Sequence, residues 1–339
     1  MSRTAVVILN YNGEKLLKQF LPSVIQYSSE ALIYLVDNAS TDDSITFVKN
    51  FYPAINIIAL DDNYGYCGGY NRALQQIDAE YSVLLNSDIE VTKNWLTPMI
   101  HLLDTSPEIS AVQPKVLSFS NKNKFEHAGA AGGFIDTLGY PFCRGRIFNY
   151  VEDDCGQYND EREIFWATGA CLMIRSEVFR KFGGFDEDFF AHMEEIDLCW
   201  KIHRANQKVF YCGKSTIYHL GAGTLGYQNP RKTYLNFRNG LSLLLKHLDT
   251  VELLYKIPLR MILDWLAAIQ FLLKGDFKNS AAILQAHIDF LVHLGRDWNK
   301  RKAVASEFPT YDDAMIYKGS VLLDHFIWRQ KPDTATIKR

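Results

Sequence analysis

Short apolar runs rich in β-branched residues alternate with stretches of helical periodicity across residues 1–115. Ala5–Leu9, Leu32–Val36, Asn56–Leu60, Tyr81–Leu85 and Ile109–Gln113 are predicted as strands. Glu14–Tyr27, Asp43–Phe51, Tyr66–Ile77 and Trp95–Asp104 are predicted as the helices between them. The strands are continuously apolar rather than alternating, so both of their faces should be buried, in a mainly parallel sheet with helices on both sides. This is a doubly wound α/β layout, and such sheets bind ligands at the carboxyl ends of their strands. Residues 118–165 break the pattern, being polar and glycine-rich, and read as loops and short strands over that edge. Regular structure resumes with Phe165–Arg175, a helix from Met193 to Ala205, and strands near Val209 and Ile217. From about Tyr234 the pattern becomes helical and apolar, through Leu241–Leu248, Met261–Leu273 and Ala281–Gly295.

Polar residues follow each of the first four strands: Asn10-Tyr11-Asn12-Gly13, Asp37-Asn38-Ala39-Ser40, Asp61-Asp62-Asn63 and Asn86-Ser87-Asp88. Carboxylates, amides and hydroxyls therefore gather along one sheet edge. Ser40 is also placed to cap the following helix, with Asp43 as its capping-box partner.

Composition narrows the class. A length of 339 residues with 47% hydrophobic and 22% charged residues fits a globular enzyme with a substantial core. A net charge of −3 supplies no basic field, so nucleic acid is not an expected partner. Cysteines 67, 143, 155, 171, 199 and 212 show no C-x-x-C pair and no zinc spacing, and read as reduced, mostly buried thiols. Met1 leads almost directly into an apolar strand, without the pattern of a signal peptide, and a cytoplasmic protein is expected.

Several clusters carry candidate chemistry. Asp88, directly after a buried strand in Asn86-Ser87-Asp88-Ile89-Glu90, is placed to hold a hard divalent cation against a diphosphate; the bland alternative is a capped turn. Asn63-Tyr64-Gly65, before a glycine-rich helix start, lets backbone approach an anionic ligand. Carboxylates converge in Phe185–Asp197, where burial and like charge would raise a pKa as a general base requires. Acidic enrichment of a first helical turn accounts for one or two of them. His219 at a strand end is a metal-ligand candidate or a hydrogen-bonded structural histidine. Trp166, beside the turn Gly169-Ala170, is a sugar-stacking platform or a core tryptophan.

In this order, these segments resemble glycosyltransferase family 2, whose members adopt the GT-A fold. The resemblance is carried by Val6–Asn12, Val36–Asp42, Asn63-Tyr64-Gly65, Leu84–Asp88, Gly169-Ala170, Gly183–Glu187 and Glu194–Asp197, over roughly residues 4–225. It implies an inverting, metal-dependent transferase with a donor-binding and catalytic domain at 1–225 and a helical, acceptor-side or membrane-proximal region at 226–339. By that resemblance Asn10 and Tyr11 border the nucleotide, and Asp37 binds the base with Asn38 and Ser40 close by. Asn63 and Gly65 shape the ribose pocket, and Asn86 and Ser87 lead to Asp88. Asp88 is similar to the final carboxylate of the family's Asp-x-Asp motif and carries Mg2+ or Mn2+ with His219; Asn86 stands at the motif's first position. Glu194-Glu195 resembles the family's Glu-Asp, whose second member deprotonates the acceptor hydroxyl, so Glu195 is the base, with Glu194 and Asp197 as alternatives. Trp166, Gly169 and Ala170 fall on the sugar side. Asn86 further resembles a rhamnosyltransferase-like branch, which implies a dTDP- or UDP-sugar donor, rhamnose first, and a glycan or lipid-linked acceptor.

Two other classes were weighed. A Rossmann oxidoreductase or epimerase needs G-x-G-x-x-G after the first strand, where this chain has Asn10-Tyr11-Asn12-Gly13-Glu14. A non-catalytic nucleotide-sugar or glycan-binding module on a degenerate transferase fold stays open. In the C-terminal region Ile257–Leu273 is strongly apolar but interrupted by Arg260 and Asp264, which makes spanning a bilayer costly. It reads either as a helix packed in a bundle or as an interfacial helix, with Lys256, Arg260, Lys274 and Lys278 for anionic headgroups and Trp265 for the interface.

Overall fold

The apolar runs at the start of the chain become parallel strands in the computed structural model, which describes residues 3–221, 229–310, 313–329, 332, 334 and 337. The chain runs β1 (Thr4–Asn10), α1 (Glu14–Tyr27), β2 (Ala31–Asp37), α2 (Ser44–Phe51), β3 (Asn56–Ala59), α3 (Gly65–Leu74) and β4 (Tyr81–Asn86). β5 (Ile89–Val91), α4 (Thr97–Thr105) and β6 (Ile109–Ser118) follow. The polar stretch then forms β7 (Gly133–Asp136), β8 (Pro141–Cys143), β9 (Arg146–Ile147), β10 (Tyr150–Val151) and β11 (Glu161–Glu163). After it come β12 (Cys171–Arg175), α5 (Ser176–Lys181), α6 (Glu194–Arg204) and β13 (Lys208–His219). The C-terminal part holds α7 (Pro230–His247), α8 (Thr250–Leu273), α9 (Phe277–Val292), α10 (Leu294–Glu307) and the short β14 (Ile316–Tyr317).

The main sheet has the order β11-β13-β6-β12-β4-β1-β2-β3, with β5 paired to β13. β1, β2, β3 and β4 are parallel, and β12 inserts antiparallel between β4 and β6. Alternate residues enter opposite cores: Val6 and Ile8 pack with Leu17 and Met99 on one face, Ala5 and Val7 with Tyr70 and Trp200 on the other. That is the physical content of a continuously apolar strand, a period of two with both phases buried. Leu241 and Leu243–Leu245 of α7 belong to the second core, so the C-terminal helices pack directly on the α/β layer.

Several boundaries shift for local reasons. Helix α4 begins at Thr97 rather than Trp95, with Pro98 in its first turn, where a missing N–H costs nothing. Helix α2 begins at Ser44, and Asp42 rather than Ser40 accepts from the Ser44 backbone N–H at 3.1 Å, so the expected capping box is not formed. The two strands expected near Val209 and Ile217 are one strand with a register shift between Cys212 and Thr216. Of Phe165–Arg175 only Cys171–Arg175 is regular. The polar stretch holds the expected short strands, and what the sequence pattern does not show is that β10-β9-β8-β7 form a second sheet, completed by β14, which returns from the C-terminal part to pair in parallel with β7. All six cysteines are free thiols and five are buried, Cys155 being exposed. The expected boundary at 225/226 touches residue 225, which with Ala222 and Gly223 lies outside the described residues. Among the described residues no helix is long and apolar enough to cross a membrane.

Candidate active site

The site is built where the strands end. Asn10, the last residue of β1, is fully buried and donates from Nδ2 to Asp37 Oδ1 at 3.0 Å and to Ser40 Oγ at 3.1 Å. Asp37 also accepts from the Ser40 backbone N–H at 2.9 Å, so the ends of β1 and β2 are tied together through side chains. Asn38 extends the tie to the third strand end. Its Nδ2 donates to Asn63 Oδ1 at 2.9 Å and to the Gly65 carbonyl at 3.0 Å, and its Oδ1 accepts from Tyr64 N–H at 3.0 Å. Tyr11, 42% exposed, is the open aromatic ring of this group. Gly65 has φ +68°, and a Cβ there would stand 2.6 Å from the Phe190 ring, so both backbone and space demand glycine. The sequence-predicted Asn10, Tyr11, Asp37, Asn38, Ser40, Asn63 and Gly65 are thus contiguous.

The second half lies across the β4 end. Asp88 is buried, and its carboxylate stands 3.2 Å from His219 Nε2. His219 Nδ1 stands 3.0 Å from Glu126 Oε2, and Glu126 is also buried. Burial alone would depress the imidazole pKa, but the hydrogen bonds to Asp88 and Glu126 outweigh it and hold it at about 10. Glu126 sits in the irregular stretch after β6 and carried no signal in the sequence. Asn86 N–H donates to the Ala170 carbonyl at 3.0 Å, and the Tyr66 hydroxyl donates to the Gly169 carbonyl at 2.6 Å. The Gly169-Ala170 turn therefore bridges the Asn86-Ser87-Asp88 loop to α3.

The donor set fits a hard cation. Two ligands of one octahedral ion of this class stand about 3 Å apart, which matches the Asp88–His219 spacing, and such ions keep other positions for phosphate and water. Among the described residues no three His, Cys, Asp or Glu side chains form a complete cage. With Nδ1–H given to Glu126, His219 would offer Nε2 as a ligand atom once a divalent cation displaced the Nε2 proton that faces Asp88, the arrangement in which a carboxylate fixes the tautomer of a metal-binding histidine.

Glu194 and Glu195 open α6 after a strained entry. Phe190, His192 and Met193 all have positive φ, of 63°, 70° and 73°. The strained segment is held from α7: Asn239 Nδ2 donates to the carbonyls of Phe189, Ala191 and His192 at 3.0, 3.0 and 2.7 Å, and Arg238 donates to that of Asp188 at 2.7 Å. The pair is thereby fixed beside the nucleotide loop, since Tyr66 N–H donates to the Phe190 carbonyl at 3.1 Å. Each glutamate has a buried Oε2 with no hydrogen-bond partner among the described residues. Burial raises Glu195 to about 7 against the opposing backbone N–H groups of the helix start. Burial, and then the charge of Glu195, push Glu194 well above the usual carboxylate range. Glu195 is the more exposed of the two.

Two expected site residues belong elsewhere. Asp197 is fully buried against α7, 2.7 Å from Lys246, 2.8 Å from His247 and 3.3 Å from Lys201. Although burial opposes ionisation, the Lys246 and Lys201 ammonium groups and the His247 hydrogen bond hold its pKa well below the ordinary value, which is the reverse of what a base needs. Trp166 is 6% exposed and donates Nε1–H to the Phe134 carbonyl at 2.8 Å, making it a core residue and not a sugar platform. A Cβ on Gly133 would stand 2.2 Å from its indole. Gly133→Ala is therefore expected to cost about 1–3 kcal/mol of stability, read as a lowered denaturation midpoint, with donor affinity of the folded fraction unchanged.

Comparisons with known proteins identify the family and the fold. The model of Glycosyl transferase family 2 matches residues 5–183. The low-salt glycan biosynthesis hexosyltransferase Agl10 of Haloferax volcanii is 24% identical over 258 residues, covering 73% of this chain and 78% of that protein. The N-acetylglucosaminyl-diphospho-decaprenol L-rhamnosyltransferase of Mycobacterium tuberculosis is 24% identical over 237 residues, covering 65% of this chain and 77% of that protein. The mannosyltransferase PcManGT of Pyrobaculum calidifontis, solved with GDP-Man and Mn2+, matches with a TM-score of 0.52 at 14% identity over 90% of this chain and 85% of that one, a likeness of fold. With a strand-end site on a GT-A-like sheet and more than half of its length matched by the family model, the chain belongs to glycosyl transferase family 2 and is a glycosyltransferase.

Proposed function

We propose that the protein transfers a sugar from a nucleoside-diphosphate sugar to a hydroxyl of a glycan or lipid-linked acceptor, inverting the anomeric centre. The observation that carries this reading is the contact of Asp88, His219 and Glu126 after a strand end that Asn86 ties to Ala170, together with Glu194-Glu195 near Tyr66, which bonds to the neighbouring Gly169. Tyr11 stacks on the base, Asn10, Asp37, Asn38 and Ser40 form the floor beneath it, and Asn63 and Gly65 line the ribose side. A carboxylate that already accepts two hydrogen bonds still has lone pairs for a base N–H, which leaves that role to Asp37. Asp88 and His219 would hold Mg2+ or Mn2+, which neutralises the charge developing on the leaving diphosphate. Glu195 accepts the proton of the acceptor hydroxyl as that oxygen attacks C1 in line with the departing diphosphate. The N-terminal 1–225 then binds donor and performs transfer, while 226–339 serves the acceptor. The resemblance of the Asn86-Ser87-Asp88 segment and the rhamnosyltransferase relative favour a dTDP- or UDP-sugar, with rhamnose first.

A panel of nucleotide sugars with added Mn2+ tests the reading. Slow release of nucleoside diphosphate from one donor is expected, and binding without release from any would make the chain a nucleotide-sugar-binding module. Glu126 gives a second test. Glu126→Ala frees the His219 ring to rotate and is expected to weaken Mn2+ about tenfold or more, measured by titrating the metal against diphosphate release. Unchanged metal dependence would mean that another group sets the ring.

A further inference from the structure

Helices α8 and α9 form a hairpin whose polarity is turned inside out. Its charged groups face inward: Arg260 and Asp264, 4% and 1% exposed, pair at 3.0 Å, and His287 of α9 stands 3.3 Å from the same aspartate. Lys256, also buried, pairs with Glu252 at 2.6 Å. Arg260 further donates to the carbonyls of Leu138 and Gly139 at 3.2 Å and stacks on the Tyr140 ring, which anchors the hairpin to the small sheet. Lys256 and Arg260 are therefore not available to headgroups, contrary to the expectation from sequence. The outward face is apolar along its length. Leu254, Ile262, Leu266 and Leu273 of α8 and Phe277 and Ile288 of α9 are exposed, Leu254 at 78% and Leu273 at 83%. These positions recur at helical spacing, so they form one stripe rather than scattered exceptions. A soluble monomer rarely leaves a face of this kind in water.

We propose that this face is a docking surface for an anionic lipid bilayer, on which the hairpin lies as a pair of interfacial helices. Charge at its tip selects that occupant. Between Thr250 and Val292 the exposed charged side chains are Lys274 and Lys278, both cationic, flanking Leu273 and Phe277 at the turn, while the carboxylates of Glu252, Asp276 and Asp289 are half-buried. No salt bridge engages either lysine among the described residues. A second copy seated on this face would bring the same two cations against the first pair, whereas an anionic bilayer supplies apolar chains and complementary headgroups together. Trp265, 43% exposed on the same helix, is the residue type that settles at the headgroup level. The hairpin is also tied to the reaction centre: α9 and α8 pack on α7, and α7 carries Asn239 and Arg238, which hold the loop before Glu194. Docking would thus set the acceptor side of the protein at the membrane. This deepens the lipid-linked acceptor reading, but its test needs neither donor nor acceptor.

Flotation of the full chain with vesicles of phosphatidylcholine, alone or mixed with phosphatidylglycerol, decides it. The chain is expected to float with the mixed vesicles. The bound fraction is expected to fall about tenfold or more in the double variant Leu273→Glu, Phe277→Glu. Lys274→Glu with Lys278→Glu is expected to reduce it about fivefold per lysine on mixed vesicles and little on phosphatidylcholine alone. All four positions are exposed, so thermal melts of both variants should match the wild type. Wild-type protein that stays at the bottom with mixed vesicles overturns the proposal. So does a dimer, seen by light scattering without lipid, that the Leu273→Glu, Phe277→Glu variant converts to monomer, because the face would then belong to a second copy.

Discussion

Replacing Asp88 by alanine is expected to abolish transfer, lowering kcat/KM by about a thousandfold or more, while the protein stays folded. The carboxylate stands at the end of the buried strand β4, 3.2 Å from His219, at the one point of the strand-end site where two metal-ligand types meet. Removing it takes away both a ligand and the negative charge that makes a divalent cation welcome beside a diphosphate. The fold should survive, because His219 keeps its 3.0 Å contact with Glu126 and the Asp88 carbonyl still accepts from Leu220 N–H at 3.0 Å. Diphosphate release and transfer, measured across a Mn2+ and Mg2+ titration, check this. Wild-type turnover in the variant would remove the metal assignment.

Glu195→Gln is expected to lower kcat by about 10²–10⁴-fold while donor affinity stays near the wild-type value. An amide of nearly the same shape cannot accept the acceptor's proton, and the residues proposed to bind the donor are on other strand ends. The wild-type rate should fall as the pH drops below about 7, where burial has placed the Glu195 pKa, and that limb should vanish in the variant's residual rate. Stability should move the opposite way from activity. Burial raises the folded-state pKa from 4.5 to about 7, so the native protein gains nothing from this residue's charge and must keep a poorly solvated carboxylate once it ionises. Below pH 4.5 the group is protonated in both states and the substitution should be neutral. As the pH rises from 4.5 to about 7 the unfolded chain ionises this carboxyl before the native state does, and the wild type loses stability relative to the variant. The loss is complete above about 7, so at pH 8 the variant should be more stable by on the order of 2 kcal/mol. Chemical denaturation at pH 4 and pH 8 measures the difference. An inactive Glu194→Gln beside an active Glu195→Gln would assign the base to the first residue of the pair.

Much of this protein could be read from residues in order. Alternating apolar runs and helical periods predicted β1 to β4 and α1 to α3 because these elements obey local rules: side chains at period two or 3.6, and buried backbone groups that must pair. The same rules gather Asn10, Asp37, Asn63 and Asp88 on one edge, since parallel strands all end on the same side. What the tertiary structure decided are partnerships with no local period. Glu126 meets His219 across 93 positions of chain, and nothing around Glu126 marks it as different from the neighbouring loop carboxylates. Asp197 looks like a third member of the acidic cluster, yet it lies on the α6 face turned to Lys246 and His247, so helix packing removes it from the site. Trp166 is beside the Gly169-Ala170 turn in sequence and under Gly133 in space, where the Phe134 carbonyl satisfies its indole. In α8 the pattern gave apolar and charged positions but not which set faces water. Pairing of Arg260 with Asp264 and with the carbonyls of Leu138 and Gly139 turned the charges inward, because a buried ion is tolerated only where such partners already wait, and that left the apolar stripe outside.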